Sequence, residues 1–290
     1  MDSDVQSVTE KFIVPDYLYY YTDIDTLALI LKNHTIRLNS LDKMDDKQEQ
    51  MSKDKQNFGK FVFISSWTED EVESIPMWRM YTPKGRGVRV TLKTNPFKNY
   101  EIDPDVFAKA LGITNVSGDG ASNFKLVIPT EHYVNDIFTV FNYSENNQLV
   151  KIVYTDDERL LNPTLLLSDQ KGTSIEIGKL GLYKNTYWSF QKEWRYRLLF
   201  SPIPLKSTLL KGLSGDYSEL AKFAQMSLNG TASLPFNYYD LYIRDDCYAD
   251  MSIVLSPDIT ESARMFANML VEKYNPQCTI EQSVLTNLIQ

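Results

Sequence analysis

Four clusters of side chains hold the chemical options of this chain. Gln191-Lys192-Glu193-Trp194-Arg195 holds an amide, a carboxylate and a guanidinium, and an extended strand from Glu193 brings Glu193 and Arg195 to one face. Tyr20-Tyr21-Thr22 puts two phenols beside a hydroxyl, and Met77-Trp78-Arg79-Met80-Tyr81 adds two rings and a cation. Asp45, Asp46 and Glu49 gather carboxylates on one short stretch. A fixed carboxylate near aromatic rings suits stabilisation of positive charge on a bound organic ligand. A group of acids suits Mg²⁺. Each cluster also has a plain structural explanation. The tyrosines can pack a strand with their hydroxyls at its rim, the acids can be a solvated loop, and Trp78 and Tyr81 can be a core stripe. Glu193 and Arg195 can be a surface ion pair of little energetic weight.

Scarce residues narrow the field. With His34 and His132 alone, no multi-histidine metal site can be assembled, and Cys247 and Cys278 supply neither a disulfide framework nor a zinc cluster. His34 follows Asn33 at an expected helix end, where capping accounts for it, and His132 has no recognisable partner. Neither GxxxxGK[ST] nor GxGxxG occurs, and Lys84-Gly85-Arg86-Gly87 reads as a turn. Thirty basic against 38 acidic residues give a net charge of -8, which argues against bulk nonspecific binding to nucleic acid. Hydrophobic content of 43% is that of a globular protein. No apolar run reaches the ~18 residues of a membrane span. The acidic start Met1-Asp2-Ser3-Asp4 lacks a secretory signal, so the expected location is the cytoplasm, without a membrane partner.

The elements that must position these clusters follow from periodicity. Leu18–Thr22 is aromatic and strand-like, Asp23 is an N-cap, and Ile24, Leu27, Ala28 and Leu31 form one helical face. Strands are expected at 35–38 and 61–67, half-exposed at 87–92, then at 149–155, 193–200, 240–243, 251–255 and 278–282. A short helix or turn is expected at 75–81, and helices at 104–111, 175–188, 217–228 and 260–274, the last between Pro257 and Asn275-Pro276. Gly118-Asp119-Gly120 reads as a turn. Residues 42–60 are charged and lack an apolar period, which predicts a mobile, exposed loop or lid beside the site. The expected architecture is α+β: a tail over 1–16, then one domain over 17–290, with insertions around 42–60 and 103–147. Its central mixed or antiparallel sheet is flanked by helices.

Taken in order, the motifs resemble a family. Leu18-Tyr19-Tyr20-Tyr21-Thr22 precedes an apolar helix, and Leu38-Asn39-Ser40-Leu41 leads to Asp46 and Glu49. Met77-Trp78-Arg79-Met80-Tyr81 comes before Gly87-Val88, Trp188 before Gln191-Lys192-Glu193-Trp194-Arg195, and Ile253-Val254-Leu255-Ser256-Pro257 before the last helix. This series looks like the bacterial family called domain of unknown function 2971, over about residues 17 to 285. It departs at Tyr20, where the family often has His or Lys, and at Asp45-Asp46-Lys47-Gln48-Glu49, where it usually reads Asn-Asp-Pro-Phe-Glu.

The layout also resembles the ADP-ribosyltransferase fold. That resemblance implies an enzyme using NAD as substrate to modify a protein or nucleic-acid acceptor, in the role of a toxin or phage-defence effector. Glu193 and Tyr20 would be catalytic. Tyr21, Thr22, Arg37, Trp78, Arg79, Tyr81, Gln191 and Arg195 would bind NAD, its pyrophosphate on Arg37 or Arg79, and no metal would be required. Two alternatives stay open: a sensor module that binds a nucleotide or other ligand without turnover, and a metal-dependent nuclease using Asp45, Asp46, Glu49 and Glu193. The transferase reading predicts that the first-strand motif and Glu193 lie on neighbouring strands and face one cleft.

Overall fold

A computed structural model describes residues 12–54, 57–102, 124–133, 135, 137–141, 148–169, 172–204, 208, 211–212 and 214–289. The expected helix at 104–111 and the turn at Gly118-Asp119-Gly120 lie outside the described residues.

The chain enters through β1 (Tyr17–Asp23) and turns at Asp23, whose carboxylate caps α1 (Ile24–Asn33) by accepting from Thr26 N at 2.6 Å. Burial of Ile24, Leu27, Ile30 and Leu31 then seats α1 on the sheet. His34 closes the helix in the left-handed conformation and stacks on Tyr248 at 3.9 Å, so capping is its observed role. Next come β2 (Thr35–Ser40), β3 (Val62–Thr68), α2 (Ile75–Tyr81) and β4 (Gly87–Lys93). Short β5 (Thr139–Phe141) and β6 (Leu149–Lys151) precede β7 (Glu193–Ser201). The chain continues with α3 (Ser218–Leu228), β8 (Tyr238–Tyr242), α4 (Asp245–Ala249), β9 (Ser252–Leu255), α5 (Glu261–Tyr274) and β10 (Thr279–Gln282).

Ten of these strands form one mixed sheet in the order β8-β2-β3-β1-β4-β9-β10, with β7 on β3 and carrying β5 and β6. All its pairings are antiparallel except β9 with β10. The main apolar core, including Phe63, Trp67, Trp194, Tyr196 and Leu198, lies on the face covered by α1 and α5. A second cluster of Leu41, Phe58, Phe61, Ile64 and Leu180 covers the other face.

This second layer overturns three expectations. The described residues of 42–60 border the cleft as expected but are not wholly exposed, because 3-10 turns at Leu41–Lys43, Lys47–Gln50 and Gly59–Phe61 bring Glu49 and Phe58 into the interior. All nine residues of β7 are buried, because this layer covers the face that alternation assigned to solvent. Residues 175–188 form no helix: a 3-10 turn at Ile177–Lys179 and a short strand at Tyr183–Lys184 replace it. Gly181, at φ +71°, breaks the helical path there. The expected strand at 149–155 also divides, since Val153–Tyr154 leaves the main sheet to pair with Tyr183–Lys184. Likewise β4 is buried rather than half-exposed from Gly87 to Val90.

Candidate functional site

The sheet forks at β3. One edge of β3 pairs along its length with β7, from Glu193↔Thr68 to Leu199↔Val62. The other edge is shared, with β2 opposite Phe63 and Ile64 and β1 opposite Thr68. Among the described residues no strand stands opposite Ser65, Ser66 or Trp67 on that edge. Main-chain directions follow from β7: Glu193 O accepts from Ile152 N at 2.9 Å, and Arg197 N donates to Gln148 O at 2.7 Å, both away from β3. Alternation therefore turns Trp194 and Tyr196 toward β3, and Trp67 and Ser65 toward β7. It leaves the N–H and C=O of Ser66 aimed into the fork.

A cleft of about 300 Å³ occupies this fork. Tyr19, Tyr21, Tyr81 and Trp188 contribute aromatic wall, and the polar floor consists of Glu49, Lys184, Gln191, Glu193 and Arg195. The floor is a closed network of two carboxylates and two cations, all at most 8% exposed in their side chains. Arg195 Nε donates to Glu193 Oε1 at 2.5 Å, and its Nη1 bonds Glu49 Oε2. Lys184 Nζ donates at 2.8 Å both to Glu193 Oε2 and to Gln191 Oε1. Glu49 Oε1 lies 3.1 Å from Lys184 Nζ but makes no hydrogen bond. Gln191 Nε2 donates to Tyr81 Oη, and Glu193 N to Tyr154 Oη at 2.9 Å.

Charges in the floor are fixed by this pairing. Burial pushes the Glu193 carboxyl up, but Arg195 and Lys184 outweigh it and hold the group well below the usual carboxylate range. Burial likewise disfavours the Arg195 cation, and Glu193 with Glu49 more than restores it. Burial, reinforced by Glu193, raises the phenols of Tyr81 and Tyr154, which keep their protons. Glu193 is thus an anion without a proton to give. Chemically it can accept hydrogen bonds and stabilise positive charge, while the phenols and the Gln191 amide orient a ligand.

Eight of the ten residues singled out in the sequence border the cleft: Glu193, Tyr20, Tyr21, Thr22, Arg37, Tyr81, Gln191 and Arg195. Trp78 and Arg79 do not, because they lie on the far side of α2, beside a small recess with Pro257 and Ile289. β1 and β7 are not neighbours; β3 stands between them, with Thr68 opposite both Tyr19 and Glu193. That register puts Tyr19 and Tyr21 on the face of Glu193, and Tyr20 and Thr22 on the opposite face. Tyr20 stacks on Trp67 at 5.0 Å and reaches the cleft only through the gap of the fork. Nor is Glu193–Arg195 a surface pair, at 3% and 1% exposure.

Arg37 is tied to Asp240 by two hydrogen bonds, of 2.8 and 2.9 Å, at the rim. Asp45 and Asp46 border the cleft, but Lys184 and Arg195 stand between Glu49 and Glu193. Among the described residues no group of three or more His, Cys, Asp or Glu could hold a metal. His132 has a partner after all, its Nδ1 lying 2.9 Å from Tyr239 Oη, outside this site.

Sequence reasoning missed Lys184, Trp188 as a wall, and the open edge at Ser66. Lys184 stood inside a supposed helix, and an open strand edge leaves no mark in residue type. No family model, curated protein or solved structure matches this chain. No helix among the described residues is long and apolar enough to cross a membrane.

Proposed function

We propose that the fork cleft is the NAD-cleaving site of an ADP-ribosyltransferase-like enzyme that modifies a protein or nucleic-acid acceptor. One observation carries this reading: an ionised carboxylate, Glu193, held by two cations at the floor of an aromatic-walled cleft. In the reaction the bond between the ribose anomeric carbon and the nicotinamide nitrogen breaks, and nicotinamide leaves with the electron pair. The ribose carbon becomes positively charged, and an acceptor nucleophile attacks it and loses a proton. Glu193 accepts a hydrogen bond from a ribose hydroxyl and favours that charge. Because Lys184 and Arg195 balance Glu49 and Glu193, the effect is local rather than that of a net negative floor.

A volume of about 300 Å³ suits the nicotinamide-ribose half of NAD, at the small end of ligand sites. The Ser66 N–H and C=O offer a donor and an acceptor to the carboxamide, with Tyr21, Tyr81 or Trp188 against the ring. The pyrophosphate then meets Arg37 at the rim, and Trp78 and Arg79 have no part. Kinship with the family of unknown function 2971, a toxin or phage-defence role and a cytoplasmic location belong to the same proposal. The complete pairing of Glu193 favours a second reading, a module that binds a nucleotide without turnover.

Calorimetry with NAD, together with a nicotinamide-release assay, separates them. Binding with release supports the transferase, binding without release the module, and absence of both sinks the NAD reading.

A further inference from the structure

We propose that residues 283–289 form a strap that fixes α2, and that Glu73 is the positioning residue through which the strap sets one wall of the cleft. The link to NAD rests on the reading above; the strap itself does not.

A seven-residue helix does not hold its own shape or place in water, so something else must seat α2. Its cleft face carries Met77 and Tyr81, spaced i, i+4, with Tyr81 joined to Gln191 of the floor. Its other face carries Trp78, 3% exposed and packed edge-on against Tyr21 at 4.8 Å. The N-terminus of α2 is pinned where Ser74 N donates to Tyr21 Oη at 3.0 Å.

Glu73, just before the helix, gathers the remaining anchors on one carboxylate. Its Oε2 accepts from Trp78 Nε1 at 2.9 Å and from Ser283 Oγ, and its Oε1 accepts from Val284 N at 2.9 Å. The strap is fixed at its base independently of α2. Ser283 N donates to Leu255 O at 3.0 Å, and Gln282 Nε2 bonds Ser256 O at 3.0 Å and Thr286 Oγ1 at 2.7 Å. From there Leu285 packs into the cluster of Tyr21, Met77 and Trp78. One carboxylate thus ties the end of the β9–β10 pair to the back of α2, and the front of α2 is the cleft wall.

Two variants test this, Glu73→Gln and Leu285→Ala, read by hydrogen exchange and by NAD binding. Hydrogen bonds to a charged acceptor are each worth roughly a tenfold to hundredfold change in a local equilibrium. Exchange of the 75–81 amides should therefore speed up by about that factor in Glu73→Gln, while exchange in β3 and β7 stays as in wild type. NAD affinity should fall by about tenfold. Unchanged exchange in α2 overturns the proposal. So does faster exchange rising equally in α2, β3 and β7, which would make Glu73 a support of the whole fold. Should wild type bind no NAD, the exchange result still decides the strap, and only the transferase reading falls.

Discussion

Replacing Glu193 by Gln tests whether the floor network is as buried and as balanced as its geometry indicates. The side chain keeps its shape, and its amide oxygen can still accept from Arg195 Nε, now at 2.5 Å from Oε1. What changes is charge: two carboxylates against two cations become one against two, with the cations at most 8% exposed. Removing one partner of a buried ion pair costs about 3–5 kcal/mol, since the other charge stays buried without compensation. For a chain of 290 residues that is a fall in melting temperature of roughly 5–8 °C. A surface pair would cost under about 1 kcal/mol.

A second substitution separates charge imbalance from lost packing. In Glu193→Gln/Lys184→Met the remaining Glu49–Arg195 pair is balanced again, so the double variant should recover about 2 kcal/mol of the loss. Urea midpoints at a shared slope give the comparison, and activity is then read per folded molecule. A single variant within about 1 kcal/mol of wild type would refute the burial argument. So would a double variant no more stable than the single one. If NAD turnover occurs, Glu193→Gln should also lower it by roughly 100- to 1,000-fold in the folded fraction.

Arg197 is buried on the same strand face as Arg195, but among the described residues its guanidinium makes one hydrogen bond, to Gly178 O at 2.5 Å, and has no carboxylate partner. Arg197→Met should thus change urea stability by less than about 1 kcal/mol, whereas Arg195→Met should cost 3 or more, about that of any broken buried pair. The pH dependence should follow the depressed Glu193 carboxyl, whose stabilising effect is full above the ordinary carboxylate range. The stability gap between wild type and Glu193→Gln should therefore close as pH falls through that range toward about 2, and a gap that widens would contradict the pairing. NAD consumption, where present, should withstand a chelator, because the cations Lys184 and Arg195 stand where a metal between Glu49 and Glu193 would have to sit.

Elements whose signals are local were legible. Asp23 as a cap, the α1 stripe and the aromatic runs of β1 and β3 each depend on neighbours in sequence, and each formed as expected. Residues 175–188 failed because apolar spacing was taken for a helix although Gly178, Gly181 and Asn185 interrupt it. In the fold Gly181 turns with positive φ so that its carbonyl meets Arg195 Nη1 at 3.3 Å. The turn serves the site rather than a helix.

The site itself was half legible, for a physical reason that Glu193 and Glu49 share. The shared face of Glu193 and Arg195 was legible from alternation along β7, and in the fold Trp194, Tyr196 and Leu198 point to the main core while Arg197 joins the two charges on the other side. What alternation cannot report is whether that other side meets water. A charged face is ordinarily solvated, and here it is not, because residues 41–54, 57–61 and 176–191 close over it. The first of these segments, over 42–60, reads as a lid because it is rich in charge, and the second, over 175–188, as a helix. Yet one charge of the first segment, Glu49, pairs both with Arg195 on the sheet and with Lys184 of the second segment. Buried ions on β7 need counter-ions, and the covering layer supplies them beside its own apolar contacts at Leu41, Phe58, Phe61 and Leu180. The two sequences that looked most like surface bury each other, and the cleft is the part of their junction that the forked sheet leaves open.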